Sequence, residues 1–180
     1  AMRDHKTKWN VSWAVPSKGT KHKYPQKVAG EFLVATGYSS LVYKSDQEPS
    51  IKAVNHDAVR EAREKTALDV QFEEPPVTSH ESNAHIERAI WEIESMIRTL
   101  KHSVERMYNM NLGIGSPILT WAVIYASQLL NRYQRSVGDG RTAYERRKGK
   151  EYKKALPPFG ECIQCMTAGR RRRKMGDRWK

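Results

Sequence analysis

A chain of 180 residues with 38% hydrophobic residues is long enough for one cored domain with extensions and too polar for a membrane protein. Its most apolar run, residues 118–130, is too short to span a bilayer, and we expect no secretory leader at the N-terminus. The two cysteines, Cys162 and Cys165, match half of a zinc-site pattern. We interpret both as ordinary residues of an intracellular protein.

The net charge of +12 is concentrated at the two ends of the sequence. Residues 1–28 carry seven Lys or Arg and one Asp, whereas residues 141–180 carry 14 Lys or Arg and four Asp or Glu. Residues 29–140 have the opposite balance, with 11 basic and 15 acidic side chains. This distribution favours a cored body with basic margins that bind nucleic acid, and the alternative is that the basic ends only aid solubility.

Alternating strands and helices are predicted in the first part of the chain. Residues 9–15 alternate in hydrophobicity and predict a strand with Trp9, Val11, Trp13 and Val15 on its buried face, paired with a strand before residue 1. A helix is expected over residues 24–36, and Gly37 ends it. A strand follows over residues 40–46, and Pro49 opens the next helix.

Helices dominate the second part of the chain. Residues 67–72 predict a strand, and residues 73–81, with two prolines, predict a loop. Apolar residues spaced by three and four between Ile86 and Met107 predict a long helix capped by Ser82 or Asn83. Helices over 118–133 and 141–149 and a strand over 159–166 complete the prediction, with Trp121 as a core residue. The pattern indicates a three-layer α/β domain over residues 1–150 and a basic extension over residues 151–180.

Two acidic residues stand where chemistry is expected. Asp46 is the last residue of a predicted strand, at the edge where open α/β sheets place ligands, and Glu87 lies in the first turn of the long helix. If the chain brings them together, a divalent cation must neutralise them, and carboxylate oxygens suit Mg²⁺ or Mn²⁺. The residues alone support a metal site only weakly, because one Asp and one Glu among 20 acidic residues are more often solvated surface charges.

The flanks of these two residues resemble a known family. Residues 44–49, Lys-Ser-Asp-Gln-Glu-Pro, and residues 81–89, Glu-Ser-Asn-Ala-His-Ile-Glu-Arg-Ala, are similar to the segments that carry the second Asp and the Glu of retroelement integrases. Residues 139–145 and 174–179 extend the similarity, which is greatest to pol polyproteins of long-terminal-repeat retrotransposons. The resemblance implies a ribonuclease-H-like core with an incomplete mixed sheet flanked by helices. It also implies that Asp46 and Glu87 are catalytic metal ligands.

DNA integration is the function that this resemblance implies. The first Asp of the family is expected on a strand before residue 1, so the chain taken alone is expected to be inactive. The protein would bind DNA through the phosphate backbone of the DNA. The expected location is the nucleus or a virus-like particle, and whether the protein forms a homo-oligomer stays open. The expected phosphate contacts are Arg98, Lys101, Arg170, Arg171, Arg172, Arg173 and Lys174. The alternatives are a non-catalytic nucleic-acid-binding module and a ribonuclease H.

Overall fold

The computed structural model of the chain describes residues 1–73 and 84–163 and confirms a mixed α/β fold. None of the helices in these ranges is long and apolar enough to cross a membrane. The elements, in chain order, are β1 (Met2–Arg3), β2 (Asn10–Val11), α1 (Tyr24–Thr36), β3 (Ser40–Lys44), α2 (Pro49–Lys65), β4 (Asp69–Glu73), α3 (Ala84–Tyr108), α4 (Pro117–Tyr133) and α5 (Ala143–Lys148).

The helices begin and end at the residues that local chemistry favours. Pro49 and Pro117 are the first residues of α2 and α4, where a missing N–H costs nothing. Gly37 ends α1 with a φ of 73°, which a side chain would disfavour, and its N–H donates to the Val34 carbonyl. The hydroxyl of Thr142 caps α5 by accepting from the Glu145 N–H. The five predicted helices are thus confirmed, and the end of α2 at Lys65, for which no prediction was made, is added by the structure.

The strands form two separate pairs. β1 and β2 are antiparallel, whereas β3 and β4 are parallel from Ser40 opposite Asp69 to Lys44 opposite Glu73. Within the described ranges, no backbone hydrogen bonds of a sheet join the two strand pairs. Where β1 meets β3, the Tyr43 hydroxyl lies 3.6 Å from the Met2 sulfur. The prediction of one mixed sheet is therefore wrong for the described strands, because side chains rather than backbones meet there. The partner of β2 was expected before residue 1, and this location is wrong, because β2 pairs with β1 at Met2–Arg3.

The buried face of β2 is the polar one. The strand predicted over residues 9–15 is reduced to Asn10–Val11, and the prediction that its apolar side chains face the core is wrong, since Asn10 and Ser12, one residue beyond β2, are each only 4% exposed. Helix α4 explains the inversion by offering polar partners: the Ser12 hydroxyl donates to the Val123 carbonyl, and the Asn131 amide bonds the backbone of Asn10. Satisfied hydrogen bonds remove the cost of burying polar groups, so alternation alone did not identify the inner face.

Two apolar clusters lie on opposite sides of β1. The first contains Met2 and joins α1, α2 and the β4 region through Leu33, Val59, Ala62, Leu68 and Val70, with Leu41 and Tyr43 of β3 packed against them. The second joins α3 and α4 through Ile93, Leu100, Ala122, Ala126 and Leu130. Successive side chains of a strand point to opposite faces, and Arg3, next to Met2, pairs with Glu92 of α3. Helices therefore cover both sides of β1.

Two further sequence predictions fail within the described ranges. Trp121 is 66% exposed rather than buried, because α4 turns Ala122 and Ala126 toward α3 and Trp121 lies one position off that stripe. Residues 159–163 contain a turn, in which the Glu161 N–H donates to the Pro158 carbonyl, and no strand. The predicted loop from residue 74 onward, the helix caps Ser82 and Asn83, and residues 164–180 lie outside the described ranges.

Candidate functional site

Asp46 lies two residues beyond β3, at the edge where the carboxyl ends of the parallel strands β3 and β4 meet. Its side chain is exposed, and one carboxylate oxygen accepts from the Gln47 N–H at 2.7 Å. The structure thus places Asp46 at the strand end predicted from the sequence, with its second oxygen directed to no donor among the described residues.

The other carboxylates at this edge have basic partners. Glu48 accepts from the Ser50 hydroxyl and from Lys18, whose ammonium lies 3.1 Å away, and these bonds lower the pKa of the Glu48 carboxyl. Glu73 pairs with Lys44 at 2.7 Å. In the described part of this edge, Asp46 differs from Glu48 and Glu73 because it has no ion-pair partner there.

Glu87 lies in the first turn of α3 and is exposed, also without an ion-pair partner among residues 1–73 and 84–163. Glu92, which lies five residues further along α3, differs in both respects. Its side chain is 12% exposed, and its two oxygens lie 3.0 Å from Arg88 and 3.5 Å from Arg3. Two guanidinium groups neutralise Glu92, whereas Glu87, in the first turn of α3, has no ion-pair partner in the described ranges.

The start of α3 lies beside the β1–β2 hairpin. The ring of His85 packs edge-on against His5 at 4.7 Å, and Lys8, burial and His85 lower the pKa of His5.

The hairpin turn itself is held by Asp4, which accepts from Thr7 and from the Tyr38 hydroxyl. Burial opposes ionisation of Asp4, yet these hydrogen bonds outweigh it and lower the Asp4 pKa. Asp4 therefore has a structural role.

The predicted approach of Asp46 to Glu87 stays a prediction. The residues that connect β4 to α3 lie outside the described ranges, and they determine how the chain returns. Within the described ranges no group of three His, Cys, Asp or Glu side chains is placed to hold a metal ion. The two carboxylates offer hard oxygen donors that suit Mg²⁺ or Mn²⁺, so the donor chemistry fits the predicted cation.

A small cavity with mixed polar and apolar lining lies next to the end of β3. Its volume is about 20 Å³, enough for one water molecule, and Ser45, Asn55, His56 and Glu73 are among its lining residues. The side-chain oxygen Oδ1 of Asn55 accepts from the Tyr43 hydroxyl at 2.9 Å, while the side-chain nitrogen Nδ2 of Asn55 is buried without a protein partner in the described ranges.

The predicted phosphate contacts differ in availability. The Arg98 side chain is 59% exposed and only loosely paired, with its guanidinium 4.0 Å from Glu94. Lys101 is 31% exposed and lies 2.7 Å from Glu105, which it helps to keep ionised by lowering the Glu105 pKa. The tail cations at 170–174 lie outside the described ranges, as does Cys165, whereas Cys162 is a free, exposed thiol.

Sequence reasoning missed a group of arginine–aromatic contacts beside α5. The guanidinium carbon of Arg147 lies 4.5 Å from the centre of the Trp9 ring, and that of Arg132 lies 5.1 Å from the centre of the Tyr152 ring. Residues 131–155 carry nine Lys or Arg and three Asp or Glu, which was the available signal. Their pairing could not be predicted, because residues 9 and 147 meet only after folding.

No protein-family model matches this sequence, and comparison with curated proteins finds no match. Among solved structures, the chain is similar to a chain of the cryo-EM structure of the simian T-cell lymphotropic virus intasome in complex with PP2A regulatory subunit B56 gamma. The sequence identity is 15% and the TM-score 0.41, over 87% of this chain and 52% of that chain. This chain thus spans about half the length of the chain that it matches.

Proposed function

We propose that this chain is an integrase-related core of a retroelement protein, which binds DNA through its phosphate backbone and holds a divalent cation with Asp46 and Glu87. One observation carries the proposal. Around the end of β3 and the start of α3, these two carboxylates lack a basic partner in the described ranges, whereas Glu48, Glu73 and Glu92 each have one. The family-like flanks of both residues support the same interpretation.

The roles of the two side chains follow from their positions. Asp46 uses one oxygen to hold the Gln47 N–H, which fixes the carboxylate and leaves its other oxygen for a ligand. Glu87 stands on the first turn of a rigid 25-residue helix. A bound Mg²⁺ or Mn²⁺ would neutralise phosphate charge next to these residues. Metal-dependent polynucleotidyl transfer is proposed for the complete parent protein, in the nucleus or a virus-like particle.

A cation titration tests the proposal directly. Binding of Mn²⁺ to the full chain, measured from the electron paramagnetic resonance signal of the free ion, is expected to weaken in Asp46→Asn and in Glu87→Gln. Glu94→Gln is the matched control, because Glu94 is an exposed carboxylate on the same helix. Equal Mn²⁺ binding by the wild type and both site variants would refute the shared cation site.

A second candidate function is nucleic-acid binding without catalysis. The charge of residues 131–155 favours it, since nine basic side chains against three acidic ones attract a polyanion without any metal. DNA binding that is unaffected by Asp46→Asn and Glu87→Gln, in a chain that binds no Mn²⁺, would select this candidate.

A further inference from the structure

Three tyrosine hydroxyls donate to three backbone carbonyls of one extended segment. The bonds are Tyr133 to Lys154 at 2.8 Å, Tyr125 to Pro157 at 2.9 Å and Tyr108 to Gly160 at 2.8 Å. The accepting carbonyls are spaced by three residues, and we call residues 154–160 the strap. Neither helix nor strand occurs in the strap, so these carbonyls have no ladder partner there.

The spacing of three matches a polyproline II helix. That conformation has three residues per turn, so the carbonyls of Lys154 and Pro157 point to the same side. Pro157 and Pro158 favour it, because each proline fixes its own φ and disfavours the α region for the residue before it. Prolines also lack an N–H, which leaves carbonyls as the backbone groups to be satisfied, and tyrosine hydroxyls supply the donors.

The lengths of the two partners agree. Tyr125 and Tyr133 are eight residues apart on α4, about 12 Å along a helix axis. The carbonyls of Lys154 and Pro157 are three residues apart, about 9 Å along polyproline II, and side-chain reach covers the difference. The strap therefore runs antiparallel to α4 and crosses to the end of α3, where Tyr108 is the last helical residue.

A turn locks the far end of the strap. The Glu161 N–H donates to the Pro158 carbonyl at 3.1 Å, and Gly160 has a φ of 85°. A Cβ on Gly160 would lie 2.8 Å from a methyl group of Val104, so only glycine lets the backbone come this close to α3. The Phe159 ring packs against the Tyr125 ring at a tilt of 32°, with 5.3 Å between the ring centres, and joins the α3–α4 apolar cluster.

We infer that the α3–α4 face is a recognition site for a polyproline II segment, and that the strap is its ligand within the same chain. The ligand class is a peptide with two prolines, an aromatic residue directly after them, and carbonyls presented every third residue. This site is separate from Asp46 and Glu87. Its occupation fixes the point from which the chain continues toward the basic residues beyond 163.

Removing single hydroxyls tests whether the tyrosines hold the strap. Trypsin should cut after Lys154 faster when the strap leaves the surface, and the product is identified by mass spectrometry. Tyr125→Phe and Tyr133→Phe are each expected to accelerate this cut by about two- to tenfold, as for the loss of one hydrogen bond. Tyr24→Phe, on the distant helix α1, is the control. Unchanged cleavage after Lys154 in both strap variants would overturn the inference.

Binding of the segment in trans tests recognition independently of proteolysis. A full chain with Pro157→Gly and Pro158→Gly should release its own strap, because the preorganised conformation is lost. A fluorescent peptide of residues 152–163 should then bind saturably, and more tightly than to the wild-type chain. Adding Tyr125→Phe and Tyr133→Phe should abolish the binding. Equal binding with and without the hydroxyls, or of a scrambled peptide, would show that no such site exists.

Discussion

The side-chain amide of Asn131 bonds both backbone polar groups of Asn10: its nitrogen donates to the Asn10 carbonyl at 2.7 Å, and its oxygen accepts from the Asn10 N–H at 2.8 Å. Both residues are buried, at 2% and 4% exposure. The amide thus pairs β2 as a neighbouring strand would, and it ties the hairpin to α4. A buried edge would otherwise leave two backbone groups unpaired.

Replacing Asn131 by Ala should destabilise the fold by about 2–5 kcal/mol, because the Asn10 N–H and carbonyl would each be left buried without a partner. Urea unfolding measures the loss as a lower midpoint. Thr120→Ala, an exposed position on the same helix, should change stability by less than about 0.5 kcal/mol. A loss at Asn131 no larger than at Thr120 would mean that water replaces the amide at no cost.

Gly160→Ala should cost more than Gly149→Ala, although both glycines have positive φ. Gly149, with a φ of 68°, has open space where the methyl group of alanine would lie, so the substitution there meets only backbone strain of about 1 kcal/mol. At Gly160 the methyl group also meets buried Val104 at 2.8 Å, which adds about 1–3 kcal/mol of overpacking. Thermal unfolding of the two variants checks the order, and equal losses would contradict the close approach.

The carboxyl of Asp139 should titrate with a pKa of about 2, because Arg146 holds it through two bonds and the Arg141 N–H adds a third. A lowered carboxyl pKa contributes stability that is present above the ordinary value of 3.8 and is lost as the pH falls toward 2. Carbon-detected NMR titration gives the pKa directly. Arg146→Gln should raise it, and an unshifted value in that variant would show that Arg146 is not the cause.

The helices could be predicted because their signals are local. Stripes at spacings of three and four, Pro49 and Pro117 at starts, and Gly37 at an end depend on residues within one or two turns. The positions of Asp46 after β3 and of Glu87 in the first turn of α3 followed from the same signals. Local pattern therefore places each candidate residue on its element.

What the sequence could not provide are the contacts between distant residues. The inward face of β2 depends on an amide 121 residues away, and no alternation of hydrophobic residues carries that information. Trp121 was expected in the core, yet the small Ala122 and Ala126 are the residues of α4 that pack against α3. The strap was missed because its tyrosine donors are 21 to 52 residues away from the carbonyls that they bind.

Deleting residues 168–180 should weaken duplex DNA binding and flatten its dependence on salt. This segment carries seven Lys or Arg and one Asp, and each phosphate contact contributes about 0.9 to the slope of log K against log salt. Fluorescence anisotropy over a salt series measures the slope, with duplexes of two unrelated sequences to check that binding is independent of sequence. An unchanged slope after the deletion would show that the segment does not contact DNA.

Arg98 should contribute more to DNA binding than Lys101, although both lie on α3. The Arg98 guanidinium is well exposed and 4.0 Å from Glu94, so it can reach a phosphate without breaking a close ion pair. The Lys101 ammonium must first leave Glu105, 2.7 Å away, which also accepts from the Leu112 N–H. Arg98→Gln is therefore expected to lower the salt slope by about 1, and Lys101→Gln by less. The same anisotropy series distinguishes them, and a larger loss in Lys101→Gln would show that DNA displaces Glu105 from Lys101.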